Sequence, residues 1–240
     1  MEVAAVVQVR MGSTRLPGKA MMKVGGKPLL DILLTRLRGS STLDGIVVCT
    51  TELPMDDVIE DFCDINGYEC YRGSQDDVLN RYNETAERFN IEKIVRVTGD
   101  NPLTDIKAMD ELIEIHRKGL ADYSHCRGFP LGTATEVVNS AALRSIYHRN
   151  LEPYYKEHVT LFFHDHPLGY KICSLDRTKD KREGIRLTVD TQQDLELIIE
   201  LHRLLGDLSR VDTERALDLI IERPELSAKN SSVKQKDPRE

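Results

Sequence analysis

Short apolar runs alternate along this chain with stretches whose apolar positions recur every three or four residues. Residues 3–9 form a near-continuous apolar run, the pattern of a strand buried on both faces. A loop bearing glycine and proline follows. From about Pro28, leucines at 29, 30, 33, 34 and 37 mark one face of a helix. Residues 45–51 (GIVVCTT) predict a second buried strand, and residues 56–66 a helix closed by Gly67. Another helix is predicted over 76–89, a third strand over 93–98 (KIVRVT), and a helix over 105–118 ending at Gly119. The order strand, loop, helix, strand, two helices, strand, helix points to an α/β fold: doubly wound, with a mainly parallel sheet.

The second half is less regular. Its pattern predicts strands over 135–138, 170–175 and 185–189, a helix over 140–149, and a helix or long loop over 155–164. Two amphipathic helices, 192–205 and 213–223, close the chain. One domain over 1–226 is expected, with an arm or insert at about 125–182. The polar stretch from 227 (SAKNSSVKQKDPRE) has the composition of a disordered tail.

Composition narrows the function classes. Of 240 residues, 40% are hydrophobic and 30% charged, as in a soluble globule with a sizeable core. No apolar run approaches the ~20 residues of a membrane span, and MEVAAVVQVRMG lacks a signal-peptide layout. The five cysteines show no CxxC pairing and have apolar neighbours, which favours buried thiols in a reduced, cytoplasmic setting. A net charge of −7 argues against a nucleic-acid polymer as partner. An anionic substrate therefore requires a local cluster of cations.

That cluster exists. The segment QVRMGSTRLPGKAMMKVGGKPLL (residues 8–30) carries Arg10, Arg15, Lys19, Lys23 and Lys27, with no acidic residue before Asp31. Gly12 and Gly18 permit close backbone approach or positive φ, and Ser13 and Thr14 add hydroxyls and amides. A glycine-bearing turn after a parallel strand is where α/β proteins bind phosphates. It is not a Walker loop, since Ala20 rather than Ser or Thr follows Lys19, and no GxGxxG follows the first strand. Two carboxylates sit at strand-to-helix junctions: Asp100 in GDNP and Asp190 in VDT. Alone they read as turn or cap residues, and Asp105 as a cap; together with a triphosphate they suit a divalent cation.

The run RMGSTRLPGK resembles the signature of cytidylyltransferases that activate sugar acids, the group of the CMP-3-deoxy-manno-octulosonate and CMP-acylneuraminate synthetases. The likeness is strongest to the spore-coat polysaccharide branch. It continues through GKPLLDILLTRL, YRGSQDDVLNRY (71–82), RVTGDNPLTD (96–105), EHVT (157–160) and LTVDTQQDLELI (187–198), covering roughly residues 3–200. The resemblance implies a nucleotide-diphospho-sugar transferase-like fold and transfer of CMP from CTP to a sugar or sugar acid, with release of pyrophosphate, for surface polysaccharide. It implies Mg2+ held by Asp100 and Asp190, with Arg10, Arg15 and Lys19 acting on the triphosphate beside Asp100 as catalytic groups. Gly12, Ser13, Gly73, Ser74 and Thr98 match nucleotide-binding positions. Gly132, Glu136 and His158 match the acceptor side, and a homodimer built through the arm is expected.

One position departs from the pattern: Ala134 stands where relatives of the branch carry Asp in a GxDxE run, which leaves the acceptor open. The alternatives are a nucleotidyltransferase using another NTP or a sugar 1-phosphate, and an inactive nucleotide-binding homologue. The GTRLxPxT run of hexose 1-phosphate enzymes is missing. His164 and His166 are spaced for a shared zinc only on a strand, and no third ligand is evident.

Overall fold

The computed structural model describes every residue except 150, 179–181, 183, 238 and 240. The arm and tail expected from the sequence fall partly outside the described residues. Strand β1 (Val3–Gln8) runs through the middle of the sheet and is buried along almost its whole length. Its odd residues (Val3, Ala5, Val7) enter one core and its even residues (Ala4, Val6) the other, so helices cover both faces. β1 continues into a loop and a short 3-10 turn at Lys19–Met21, then a two-stranded ribbon, β2 (Lys23–Val24) and β3 (Lys27–Pro28), and helix α1 (Leu29–Leu37).

After α1 come β4 (Gly45–Thr51), α2 (Asp57–Asn66), β5 (Glu69–Gly73), α3 (Val78–Arg88), β6 (Lys93–Thr98) and α4 (Ile106–Gly119). Then follow β7 (Tyr123–Arg127), β8 (Glu136–Asn139), α5 (Ser140–Tyr147), α6 (Pro153–Glu157), α7 (Leu161–Asp165), β9 (Ile172–Asp176), α8 (Gln192–Leu205), α9 (Thr213–Glu222) and α10 (Pro224–Ala228). The main sheet has the order β5-β4-β1-β6-β8-β7-β9. β5, β4, β1 and β6 are parallel neighbours; β8 runs against both β6 and β7, and β9 is parallel to β7. The doubly wound, mainly parallel α/β sheet expected from the sequence is the observed fold.

Several elements differ from expectation for identifiable reasons. β5 (ECYRG) and β7 (YSHCR) are strands that the apolar pattern missed, because their buried positions are polar or small. Residues 185–189 (IRLTV) alternate apolar and polar positions as a strand does but form no ladder: the backbone makes an isolated bridge between Leu131 and Arg186, and Val189 N donates to Asp100 O at 2.8 Å. α4 includes Gly119, and the left-handed residue that ends it is Leu120, at φ 46°. The stretch 155–164 divides into α6 and α7.

A third core holds the functional edge. Leu16 from the first loop packs with Leu29, Ile32, Leu103, Ile185, Leu187 and Val189 against α8 and α9. Burying a leucine side chain contributes about 1.5–3 kcal/mol, so Leu16 helps to anchor the cationic loop, with Ala20 buried in the first core. Leu226 within α10 and Asn230 just past it are buried, so the chain stays packed on the body as far as Asn230, which differs from the free tail expected from 227. No helix among the described residues is long and apolar enough to cross a membrane.

Candidate active site

The carboxyl ends of the parallel strands carry the chemistry. Where β1 ends, Val9 N donates to Cys49 O on β4, and Met11 N donates to Asp56 Oδ1 at 2.6 Å. Asp56 is 1% exposed and also accepts from the Thr51 hydroxyl, so it fastens the loop at its first turn. Ser13 N and Gly18 N both donate to Met11 O, and Leu16 N donates to Ser13 Oγ. Gly18 sits at φ 73°, a conformation that favours glycine. The Ser13 amide is thus spent inside the loop, while Gly12 is exposed.

From this loop Lys19 reaches across the cleft. Its Nζ donates to Asp100 Oδ2 at 2.7 Å, Asp190 Oδ1 at 2.9 Å and Val189 O at 2.8 Å. Arg15 Nη2 lies 3.0 Å from Asp190 Oδ2. The structure therefore brings Arg15, Lys19, Asp100 and Asp190 into direct contact, from the loop after β1, the turn after β6 and the segment before α8. Burial pushes the Asp190 carboxyl up, but the charges of Lys19 and Arg15 and the Arg186 hydrogen bond outweigh it and hold it below its ordinary range. Arg10 points elsewhere, its Nη2 3.4 Å from Glu157 Oε1 at the end of α6.

Asp190 is free to face Lys19 because it is not the helix cap. Thr191 caps α8: its hydroxyl accepts from Asp194 N, and the Asp194 carboxylate accepts from Thr191 N. Asp194 also accepts from Asp190 N and pairs with Arg186 Nε at 2.8 Å, while Arg186 Nη2 holds Asp190 Oδ2 at 2.7 Å. Sequence reasoning missed Arg186, Asp194 and Asp56. The Thr191–Asp194 spacing is a readable capping-box signal and Arg186–Asp190 an i,i+4 pair; nothing local points Asp56 at Met11. Asp105 does cap α4, accepting from Ala108 N.

The expected base-side residues lie at two strand ends. Gly73 ends β5, and its carbonyl accepts from Glu52 N. The Ser74 carbonyl is held at 2.6 Å by buried Arg81, and its hydroxyl accepts from the amides of Asp76 and Asp77. Thr98 ends β6 and accepts from Asn101 Nδ2 at 2.8 Å.

Of the expected acceptor-side residues, Gly132 and Glu136 make close contacts within the fold. Gly132 is buried at φ 91°, where a Cβ would sit 2.3 Å from Thr188 N; it allows the 130–133 turn to pack on the segment leading to Asp190. Glu136 is saturated: Tyr123 OH donates to Oε1, and Oε2 accepts from Arg96 Nη1 at 2.7 Å and Thr160 Oγ1 at 2.8 Å. Three donors already hold this carboxylate, which fixes its place in the sheet. Burial pushes it up, yet Arg96 foremost, with His164 and Tyr123, holds it far below the usual carboxylate range. His158, half-buried after α6, has its pKa lowered by burial and by the Arg96 charge. His164 sits on a helix and bonds Tyr123 OH at 2.6 Å, and His166 bonds Tyr155 OH at 3.2 Å. No group of three or more His, Cys, Asp or Glu converges on a metal position among the described residues.

A family model described as Cytidylyltransferase matches residues 4–219. The chain is 38% identical over 241 residues to an uncharacterized protein, MJ1063, of Methanocaldococcus jannaschii, covering 100% of this chain and 99% of that one. It is 38% identical over 212 residues to the spore coat polysaccharide biosynthesis protein SpsF of Bacillus subtilis, covering 86% and 88%. A solved cytidylyltransferase from Leptospira borgpetersenii superposes with a TM-score of 0.88 at 30% identity, covering 94% of this chain and 96% of that one. A lysine joining two carboxylates beneath a cationic loop, on a chain matched over nearly its whole length, leads to one conclusion: the protein is a nucleotidyltransferase of the cytidylyltransferase family.

Proposed function

We propose that the protein transfers CMP from CTP to a sugar or sugar acid and releases pyrophosphate, in the synthesis of a surface polysaccharide. The observation that carries this reading is the convergence of Asp100 and Asp190 on the Lys19 ammonium, within 2.7 and 2.9 Å. Two carboxylate oxygens that already share one cation are a donor set suited to a hard divalent ion completed by phosphate oxygens and water. Asp100 and Asp190 would hold Mg2+, which when bound supplies charge neutralisation at the reacting phosphate.

The chain's own groups do the rest. Lys19 and Arg15 turn from the carboxylates to the triphosphate as it enters, and Arg10 meets it from the far side of the loop. The acceptor hydroxyl attacks the α-phosphorus in line, and the accumulating oxygen charge is met by these fixed cations. The exposed Gly12 amide is the loop donor available for a phosphate oxygen, whereas Ser13 contributes its shape. Gly73, Ser74 and Thr98 line the edge at which the cytosine would be read; one or two hydrogen bonds there discriminate CTP from UTP. His158 stands on the arm side of the cleft as an acceptor-side residue. The reading expects a cytoplasmic enzyme that acts as a homodimer through its arm.

The test is pyrophosphate release with CTP, Mg2+ and a panel of sugar acids, run beside a thermal-shift panel of CTP, UTP, ATP and GTP. A shift with CTP alone and release with one acceptor are expected, and Asp100→Ala should abolish the release. Near-normal release by Asp100→Ala would remove that residue from the metal site. A wild-type chain that no nucleotide stabilises would sink the reading.

A further inference from the structure

The segment beyond α9 lies outside residues 4–219, the part that carries the family match, yet it reaches into the site. Asn230 is 3% exposed, and its amide donates to Arg186 O at 3.1 Å and Asp194 Oδ1 at 2.9 Å. Arg186 Nη1 donates to Gln235 Oε1 at 2.6 Å, on the same guanidinium that holds Asp190. Four residues later, Arg239 Nη2 donates to Asp165 Oδ1 at 2.7 Å, on α7 of the arm. Gln235 and Arg239 thus reach the carboxylate wall of the cleft and its arm wall respectively. Between the two anchors, Lys236 and Asp237 lie near enough to His158 for their charges to act on its imidazole.

We propose that residues 230–237, together with Arg239, form a strap over the acceptor side of this site, hinged at buried Asn230 and latched at Gln235 and Arg239. Asn230 and Gln235 are positioning residues: they hold Arg186, which sets Asp190. The acceptor and metal roles rest on the cytidylyl-transfer reading; the strap itself rests on the contacts alone. Its two ends differ in strength. The Asn230 end is buried and doubly bonded. The Gln235–Arg239 end is exposed, and exposed pairs open at little cost. A strap so built stays tethered while its distal end swings aside to admit an acceptor.

Diethyl pyrocarbonate labelling of His158, read by mass spectrometry on the full chain with exposed His148 as internal reference, tests the strap without nucleotide or acceptor. Arg239→Ala and Asp165→Asn, which unlatch it from opposite ends, should each raise His158 labelling about two- to fivefold over His148, the ratio an exposed pair can hold. Wild-type labelling in either variant would overturn the strap. The positioning role is read by electron paramagnetic resonance of Mn2+ binding with CTP. Gln235→Ala should weaken Mn2+ by up to about tenfold, and Gln235→Glu, which keeps an oxygen for Arg186, should restore it. Equal affinity in Gln235→Ala and wild type would remove the role. A wild-type chain that binds no Mn2+ would sink the cytidylyl-transfer reading and the positioning role with it, leaving the strap to be judged by the labelling.

Discussion

Two clusters of opposite charge lie four residues apart, one on β6 and one in the turn that follows it. Arg96 pairs with Glu136 inside the sheet, and Asp100 pairs with Lys19 at its edge. Exposure barely separates them: the side chains are 17% and 18% exposed in the first pair, 12% and 24% in the second. Partners do. Both oxygens of Glu136 are taken, by Tyr123, Arg96 and Thr160, whereas among the described residues Asp100 has Lys19 on one oxygen and no side-chain bond on the other. A saturated pair specifies a structure. A pair with spare valence can exchange one cation for another, which is what binding a metal and a triphosphate in turn requires.

Breaking the interior pair should give the largest effect. Glu136→Ala leaves the Arg96 guanidinium buried without its counter-ion, and stability should fall by about 3–5 kcal/mol, measured by urea unfolding. The pH dependence has a definite sign. The folded pKa of Glu136 lies below the unfolded value near 4.3. Its contribution is therefore complete above that pH and disappears as pH falls toward the folded value. Wild type should lose stability on acidification below about pH 4.3, and Glu136→Ala should lose less over the same range. Parallel curves for the two proteins would show that the pair is not the interior constraint described.

The edge pair should behave in the opposite way. Lys19→Met removes the cation from between two carboxylates that retain other partners, since Arg15 and Arg186 still hold Asp190. Fold stability should change far less than in Glu136→Ala, while pyrophosphate release falls about 10²–10³-fold, as when one preorganised charge-stabilising group is lost. A second readout separates competition from simple loss. The ammonium and a divalent ion claim the same oxygens, so added Mg2+ should raise the melting temperature of Lys19→Met more than that of wild type. An equal rise in both proteins would mean that Lys19 does not occupy the metal's place.

The contrast also explains which parts were legible in the sequence. β4, β6 and α8 have the predicted limits because their apolar residues follow one period and their ends carry turn or cap residues. β7 was invisible for the reason that makes the interior cluster work. Tyr123, Ser124 and His125 are polar residues whose partners, Glu136, His116 and His164, come from elsewhere in the fold, and no local pattern records such pairings. Conversely, 185–189 looked like a strand because Ile185, Leu187 and Val189 alternate with Arg186 and Thr188, but the three apolar side chains fill the third core while the backbone guides Asp190 to the cleft. At the edge, Lys19 stands out in a local run of cations, whereas Asp100 and Asp190 read alone as turn or cap residues and are picked out by the family resemblance. Asn230 and Asp56 act across 44 and 45 residues, and only the folded chain shows them.

A smaller effect sharpens the comparison on the interior side. His116 on α4 is buried between the Ser124 hydroxyl and Asn139 Oδ1, at 2.9 and 3.1 Å, with Lys93 and Asp122 as the charged groups acting on it. Burial lowers its pKa below the ordinary value near 6.5, so the folded protein keeps it neutral where the unfolded chain would protonate it. The contribution of His116 is thus present above the unfolded pKa and declines as pH falls through the folded one, at no more than about 1.4 kcal/mol per pH unit. His125 and His158 are shifted in the same direction, again first by burial, and add to the slope. Urea midpoints between pH 7 and 5 should fall for wild type and fall less for His116→Gln, which keeps a donor for Asn139 without a titrating proton. If instead the midpoints rose on acidification, the interior would be stabilised by histidine cations, and the distinction between a saturated interior and an exchangeable edge would lose its basis.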